Sequence, residues 1–313
     1  VMFRLMRWLL PAAVLALSSV PASAAPARGA APATVATAPP VPIMWKVTGK
    51  GDATMYLLGS FHLLYPQDYP LAEVTGKAFD AAQRVVFELP PADMESPAMA
   101  STLVQAAVRT DGTQLRQDLD ADSWARLQRH AREHALPLEQ MQGMKAWFVG
   151  LTISIGQMQR MGLDPALGLD RHFMQRAART GRQVAGLEDI QTQVQALAGM
   201  SLAEQRQMLV EALEQAEKGD EEVRRLHAAW RRGDDAVLWN DMALEMRRLY
   251  PALYKRINTD RNDAWVPKLE RYLQPGQGGT LVVVGTLHLL GPDGVVEKLR
   301  SRGYKVERVR AKR

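Results

Sequence analysis

Cysteine is absent from all 313 residues. That excludes disulfides, thiolate nucleophiles, cysteine metal ligands and a lipidated N-terminal cysteine. An excess of one charge sign is missing too. The formal net charge is +5, and two of the contributing arginines, Arg4 and Arg7, stand in an N-terminal leader. So balanced a chain gives no footing for nucleic acid, although its end, Arg308-Val309-Arg310-Ala311-Lys312-Arg313, is basic. No apolar run reaches the roughly 20 residues of a bilayer span. Compact catalytic signatures are lacking as well: there is no H-E-x-x-H helix, no G-x-S-x-G elbow around Ser60, and Gly276-Gln277-Gly278-Gly279 has no helix behind it to bind phosphate.

What is present begins with that leader. Arg4 and Arg7, a short apolar centre over residues 8–17 and Ala22-Ser23-Ala24 form a secretory signal peptide, with cleavage expected after Ala24. Residues 25–42 are almost wholly Ala, Pro, Thr and Val, the composition of a mobile linker. A single α/β domain is expected over residues 43–313, in a periplasmic or secreted protein without a stable membrane anchor.

The most informative pattern is a repeat. Gly59-Ser60-Phe61-His62-Leu63-Leu64-Tyr65-Pro66 returns as Gly285-Thr286-Leu287-His288-Leu289-Leu290-Gly291-Pro292, so two of the six histidines hold equivalent places. Each string follows an apolar β-prone run and precedes a loop, a helical stretch and another strand, giving one β-loop-α-β unit at each end of the chain. Crossovers of this kind join parallel strands. A central, mainly parallel sheet is therefore expected, built from two half-sheets that pair about a pseudo-twofold axis, with a large helical insertion over about residues 94–268. Gly59 and Gly285 are expected to serve close backbone approach or positive φ.

Within the insertion, residues 145–162 carry Trp147, Phe148, Leu151, Ile155, Met158 and Met161 and read as a buried or groove-lining helix. Arg182-Gln183-Val184-Ala185-Gly186-Leu187-Glu188 reads as one more strand, ending in a carboxylate as Phe87-Glu88 does. His130 and His134, spaced as helical ligands, lie among arginines and read as a solvated face, as do His172 and His227. Two histidines and two glutamates thus share one kind of address, the C-terminal ends of strands, where α/β sheets place chemistry. A pair of imidazoles with one or two carboxylates suits Zn²⁺, Mn²⁺ or Co²⁺ with open positions for water. Taken singly, Glu88 and Glu188 read equally as solvated strand ends.

Met44-Trp45-Lys46-Val47, the first G-x-x-H string, Phe87-Glu88-Leu89, Gly168-Leu169-Asp170, Gly186-Leu187-Glu188 with Gln191 or Gln193 beyond it, Arg261-Asn262 and the closing G-x-x-H string together resemble the TraB/GumN family, over about residues 45–309. That family is similar to the Tiki metalloproteases, which cleave the amino-terminal part of Wnt proteins, and more distantly to erythromycin esterases and haem-binding ChaN-like proteins. Ser60 and Phe61 stand where Thr and Ile are commoner. The resemblance implies a hydrolytic, metal-dependent site at His62, Glu88 and His288, with Glu188 and Arg261 in the same cleft. The leading expectation is accordingly an exported metal-dependent hydrolase, a peptidase acting on a peptide or another small extracytoplasmic substrate. His62, Glu88 and His288 would bind divalent Mn, Co or Zn, Glu188 would act as general base and Arg261 would meet the oxyanion. Two alternatives stand beside it: a metal-free esterase-like hydrolase with one histidine as base, and a non-catalytic binder of peptide, glycan precursor or haem with residues 145–162 as a pocket wall. Both catalytic readings require the two imidazoles within roughly 10 Å of each other.

Overall fold

The computed structural model describes residues 38–311; the expected leader and most of the expected linker lie outside them. Among the described residues six strands form one sheet: β1 (Met44–Thr48), β2 (Thr54–Ser60), β3 (Arg84–Phe87), β4 (Gln183–Gly186), β5 (Gly279–Gly285) and β6 (Lys305–Val309), in the spatial order β4-β3-β5-β2-β1-β6. The longer helices are α1 (Glu73–Asp80), α2 (Pro97–Ala107), α3 (Ala121–Glu133), α4 (Ala146–Arg160), α5 (Leu169–Arg179), α6 (Ile190–Ala198), α7 (Leu202–Lys218), α8 (Glu221–Arg232), α9 (Asp260–Tyr272) and α10 (Val295–Ser301). No described helix is long and apolar enough to cross a membrane.

Both repeats fold as β-loop-α-β units, β2-α1-β3 and β5-α10-β6, and their first strands lie side by side in parallel, with Ser60 opposite Gly285. The sheet as a whole, however, is mixed and not mainly parallel. β4, β3, β5 and β2 pair in parallel, whereas β1 runs antiparallel to both its neighbours, β2 and β6. The cause is local. A tight turn, with Gly49 N–H donating to Ala53 O and Gly51 at φ 63°, folds the chain before β2 back on itself. That reversed strand enters between β2 and β6, so the last strand of the second repeat, β6, reaches the sheet only through β1 and the twofold arrangement of half-sheets is broken at that edge. The centre of the arrangement survives. β2 and β5 are neighbours whose connections leave toward opposite edges, and the crevice beyond their C-terminal ends is the switch point at which open α/β sheets hold ligands.

Apolar side chains on β5 and β2 make the floor of the core: Leu281, Val282, Val283, Val284, Leu57 and Leu58 are buried. Phe79 of α1 stacks on Phe173 of α5 at 5.7 Å, and α5 packs on β3 and β5. α4 is buried as the sequence suggests and lies against α7 with Val149, Ile153, Leu209 and Leu213 in one apolar cluster. Gly150 permits that approach, because a Cβ there would stand 3.0 Å from Leu209 Cα. Two of the histidines read as solvated are buried instead. His130 is driven down to about 4 first by burial and then by His134 and Arg160. His227 bonds Asp68 through Nε2 at 2.7 Å and ties α8 to the loop after β2.

Gly59 serves close approach rather than positive φ: a Cβ on it would lie 2.6 Å from Ile43 Cγ1 and 2.9 Å from Thr286 Oγ1. Gly59→Ala is therefore expected to lower stability by about 1–3 kcal/mol through overpacking, measured by urea unfolding; an unchanged midpoint would contradict this packing.

Candidate active site

Each first strand of the repeats ends in a short turn that carries its histidine inward. After β2 the turn is pinned from the N-terminus of α5: Leu169 N–H donates to Phe61 O at 2.9 Å, and a Cβ on Gly168 would stand 2.4 Å from His62 O. Asp170, in the first turn of α5, is thereby brought to 3.3 Å from His62 Nδ1. Ser60 Oγ donates to Asp170 Oδ1 and accepts from Asp170 N–H, both at 3.2 Å, which fixes the carboxylate. The Asp170–His62 contact is an ion pair too poorly directed for a good hydrogen bond, and His62 Nε2 is buried with no hydrogen-bond partner. Burial opposes charge on this imidazole, but Asp170 and Glu88 outweigh it and raise His62 above its ordinary value. Burial likewise works against the Asp170 carboxylate, and His62 and Ser60 hold it below the usual range all the same.

After β5, a turn of 3-10 helix (Thr286–Leu289) presents His288, which is fully buried. α9 supplies its partners. Arg261, Asn262 and Trp265 fall on one face by their i, i+1, i+4 spacing, and Asn258, in the turn of π-helix (Lys255–Thr259) that leads into α9, lies one turn before Asn262. His288 Nδ1 and Asn262 Oδ1 are 2.7 Å apart, while Asn262 Nδ2 donates to Asn258 Oδ1 at 2.6 Å and to Asp293 O at 2.8 Å. With the amide so oriented, Nδ1 must donate. Nε2 then accepts from Arg261 Nη1 at 2.9 Å. His288 is thus neutral in its Nδ1–H tautomer, and burial together with Arg261 and His62 pushes it well below its ordinary value.

Arg261 lies at the middle of the constellation. Its Nη2 donates to Glu88 Oε2 at 2.6 Å and to Glu188 Oε1 at 2.5 Å, its Nε donates to Glu188 at 3.1 Å, and its Nη1 also reaches Ile257 O at 3.2 Å. The guanidinium sits 4.8 Å over the Trp265 ring, whose Nε1–H donates to Glu188 Oε2 at 2.9 Å. Burial opposes the arginine's charge, and Glu188 and Glu88 raise it above its ordinary value regardless. Glu88 follows β3 directly and accepts from Gly285 N–H at 2.7 Å and from Gln193 Nε2 at 3.2 Å. Burial pushes it up, against the pull of Arg261 and His62.

Gly285 marks where these groups converge. The point where its Cβ would stand is 3.1 Å from Glu88 Oε1, 3.5 Å from His62 Nε2 and 3.6 Å from His288 Cδ2. The two imidazoles therefore meet well inside the separation that shared chemistry requires, with Glu88 between them and Glu188 and Arg261 alongside. A cleft of about 580 Å³ opens beside them, floored by Glu188, Arg261 and Trp265 and walled by Thr192, Arg256 and Lys268. His62, Glu88 and His288 do not line it; they lie behind the Glu188–Arg261 pair. Nor does α4, which removes residues 145–162 as a wall of this pocket. Asp170, Asn262, Trp265 and Gln193 complete the centre without having been assigned a role from sequence. Asp170, Asn262 and Gln193 were visible only as members of short strings, Gly168-Leu169-Asp170, Arg261-Asn262 and Gln193 beyond Glu188, with no chemistry attached, and Trp265 gave no signal.

The donor set is poorly matched to a divalent metal. His62 Nε2 is free for one, but His288 Nε2, Glu88 Oε2 and both Glu188 oxygens already accept from Arg261. No group of three or more acidic or histidine side chains is arranged to hold an ion among the described residues. A dication about 4 Å from the guanidinium would also meet about 8 kcal/mol of repulsion at an effective dielectric of ~20. As arranged, these residues do not fit a metal.

The profile of the TraB/PrgY/gumN family matches residues 43–308, and the chain belongs to that family. Among curated proteins it is similar to the uncharacterised protein YbaP of Escherichia coli K12, at 23% identity over 262 residues covering 81% of this chain and 90% of YbaP. YbaP of Shigella flexneri matches at the same identity and coverage. No solved structure matches significantly.

The two histidines make opposite contributions to stability. For His62, raised in the folded state, the stabilisation is fully present below the unfolded value of 6.5 and is lost as pH climbs through the folded one. His62→Gln should accordingly cost more stability at about pH 6 than at about pH 9. Urea titrations of both proteins at the two pH values check this, and an equal or larger cost at the alkaline value would contradict the Asp170–His62 pairing.

Proposed function

We propose that this member of the TraB/PrgY/gumN family is an exported hydrolase, acting on peptide bonds, with His62 as its general base. Export rests on the leader at residues 1–24. The hydrolytic reading rests on one observation: a buried imidazole with a carboxylate against Nδ1 and an unpartnered Nε2. That is the arrangement of a base whose neighbouring anion stabilises the imidazolium that forms on proton uptake. Arg261, beside it, is the positive charge available to the oxyanion that water attack on a carbonyl creates. Glu188 is the weaker candidate for the base, because both its oxygens are engaged by Arg261 and Trp265. It holds the guanidinium in place. Since the Glu188–Arg261 pair separates the cleft from His62, turnover requires Glu188 to swing off the anchored guanidinium when substrate enters.

An extended peptide suits the cleft better than a compact ester. The cleft is continuous with Gly186 and Leu187 at the end of β4, and β4 is an edge strand whose outer side pairs with no strand among the described residues. Val184 on it is 45% exposed. An incoming chain can add to such an edge by main-chain hydrogen bonds and run on into the cleft.

The test is a panel of fluorogenic peptides and simple esters with the mature protein. Peptide hydrolysis is expected to rise as pH passes above 6.5 and His62 loses its proton, and to fall by about 10²–10⁴-fold in His62→Ala. In Asp170→Asn the rise should move to lower pH, because the anion that raises His62 is gone. Undiminished hydrolysis in His62→Ala would remove this histidine as the base.

A further inference from the structure

We propose that the guanidinium of Arg261 is the resident cation of this centre, standing on the lone pairs that a divalent metal would otherwise take. The inference rests on the reading of this cluster as the reaction centre, but its test does not depend on turnover. Three ligand atoms converge on the one side chain: Glu88 Oε2 at 2.6 Å, Glu188 Oε1 at 2.5 Å and His288 Nε2 at 2.9 Å. Two carboxylates and a neutral imidazole are a metal's donors, and here all three point at nitrogen-bound hydrogens. The tautomer of His288 agrees: Asn262 Oδ1 accepts from Nδ1–H and leaves the Nε2 lone pair facing inward, as it would for a metal, yet the group it meets is Arg261.

Arg261 is not a loosely held side chain that a metal could push aside. It is 4% exposed, bonds its own helix at Ile257 O and is backed by the Trp265 ring. Because guanidinium is planar, permanently charged and presents several donors in a fixed fork, it satisfies both glutamates and the imidazole together. Its charge offsets theirs without a site for water on the cation. The positive charge that meets a developing oxyanion here is thus covalently part of the chain.

The experiment uses the mature protein freed of metal by chelation and dialysis, then analysed for bound metal and for melting temperature in ~1 mM MnCl₂, CoCl₂ or ZnCl₂. The wild type is expected to take up no stoichiometric metal and to melt unchanged. Arg261→Ala leaves two carboxylates and an imidazole around a vacancy and is expected to acquire metal, with a melting temperature that rises by several degrees on its addition; the rise should vanish in Arg261→Ala/His288→Ala. Stoichiometric metal in the wild type, lost in His288→Ala or Glu88→Gln, would overturn the proposal. So would an Arg261→Ala protein that folds and takes up none. Should that variant not fold, the wild-type measurement decides alone: absence of uptake supports the resident guanidinium, and uptake that depends on His288 refutes it. Failure to find any hydrolysis, with these metal results as expected, would sink the hydrolase reading and leave this one intact.

Discussion

Arg261 carries a permanent charge into a region where its side chain is 3% exposed, and everything near it answers to that burial. An ion the size of guanidinium loses several kcal/mol of hydration on leaving water, and only close, well-directed anions recover it. Glu88 and Glu188 do so from the ends of two neighbouring strands, β3 and β4, which pair in parallel and so present their C-terminal residues together. Glu188 N–H donates to Glu88 O at 2.9 Å, locking the two strand ends. Removing either carboxylate would leave a buried charge short of a partner, a loss of about 3–5 kcal/mol for pairs of this kind. The same charge forbids a proton on His288 and so fixes the state of the second histidine.

The first histidine is governed from another direction. Asp170 reaches His62 from the N-terminus of α5, far in sequence from both repeats, and offsets the burial that would otherwise lower this ring. Two histidines that occupy equivalent places in the repeat are therefore shifted in opposite directions. The repeat sets their positions, while the inserted helices α5 and α9 set their chemistry.

That division explains what could be read from the chain and what could not. The strands β2 and β5, the helix and strand behind each, the strand before Glu188 and the meeting of His62, Glu88 and His288 all follow from hydrophobic periodicity and a repeated G-x-x-H string, which are local signals. The mixed sheet was not legible, because β1 carries the same apolar character whichever way it runs, and its direction is set by a turn at Gly51. The burial of His130 and His227 was hidden by arginines next to them in sequence that point elsewhere in space. Above all, the sequence offered His62, Glu88 and His288 as a metal shell, with Glu188 as base and Arg261 as the group meeting an oxyanion, not as a cation bonded to these side chains. Nothing short of the packing of α9 on the sheet could show that its guanidinium lies among them.

The protonation map of the two imidazoles tests this account most directly, and long-range ¹H–¹⁵N correlation spectra of metal-free mature protein read it. The account predicts His288 as the neutral Nδ1–H tautomer at neutral pH, His62 titrating above 6.5, and no change in either ring's ¹⁵N shifts when diamagnetic Zn²⁺ is added in excess. An Nε2–H or doubly protonated His288, or shifts of both rings on adding the divalent ion, would contradict it.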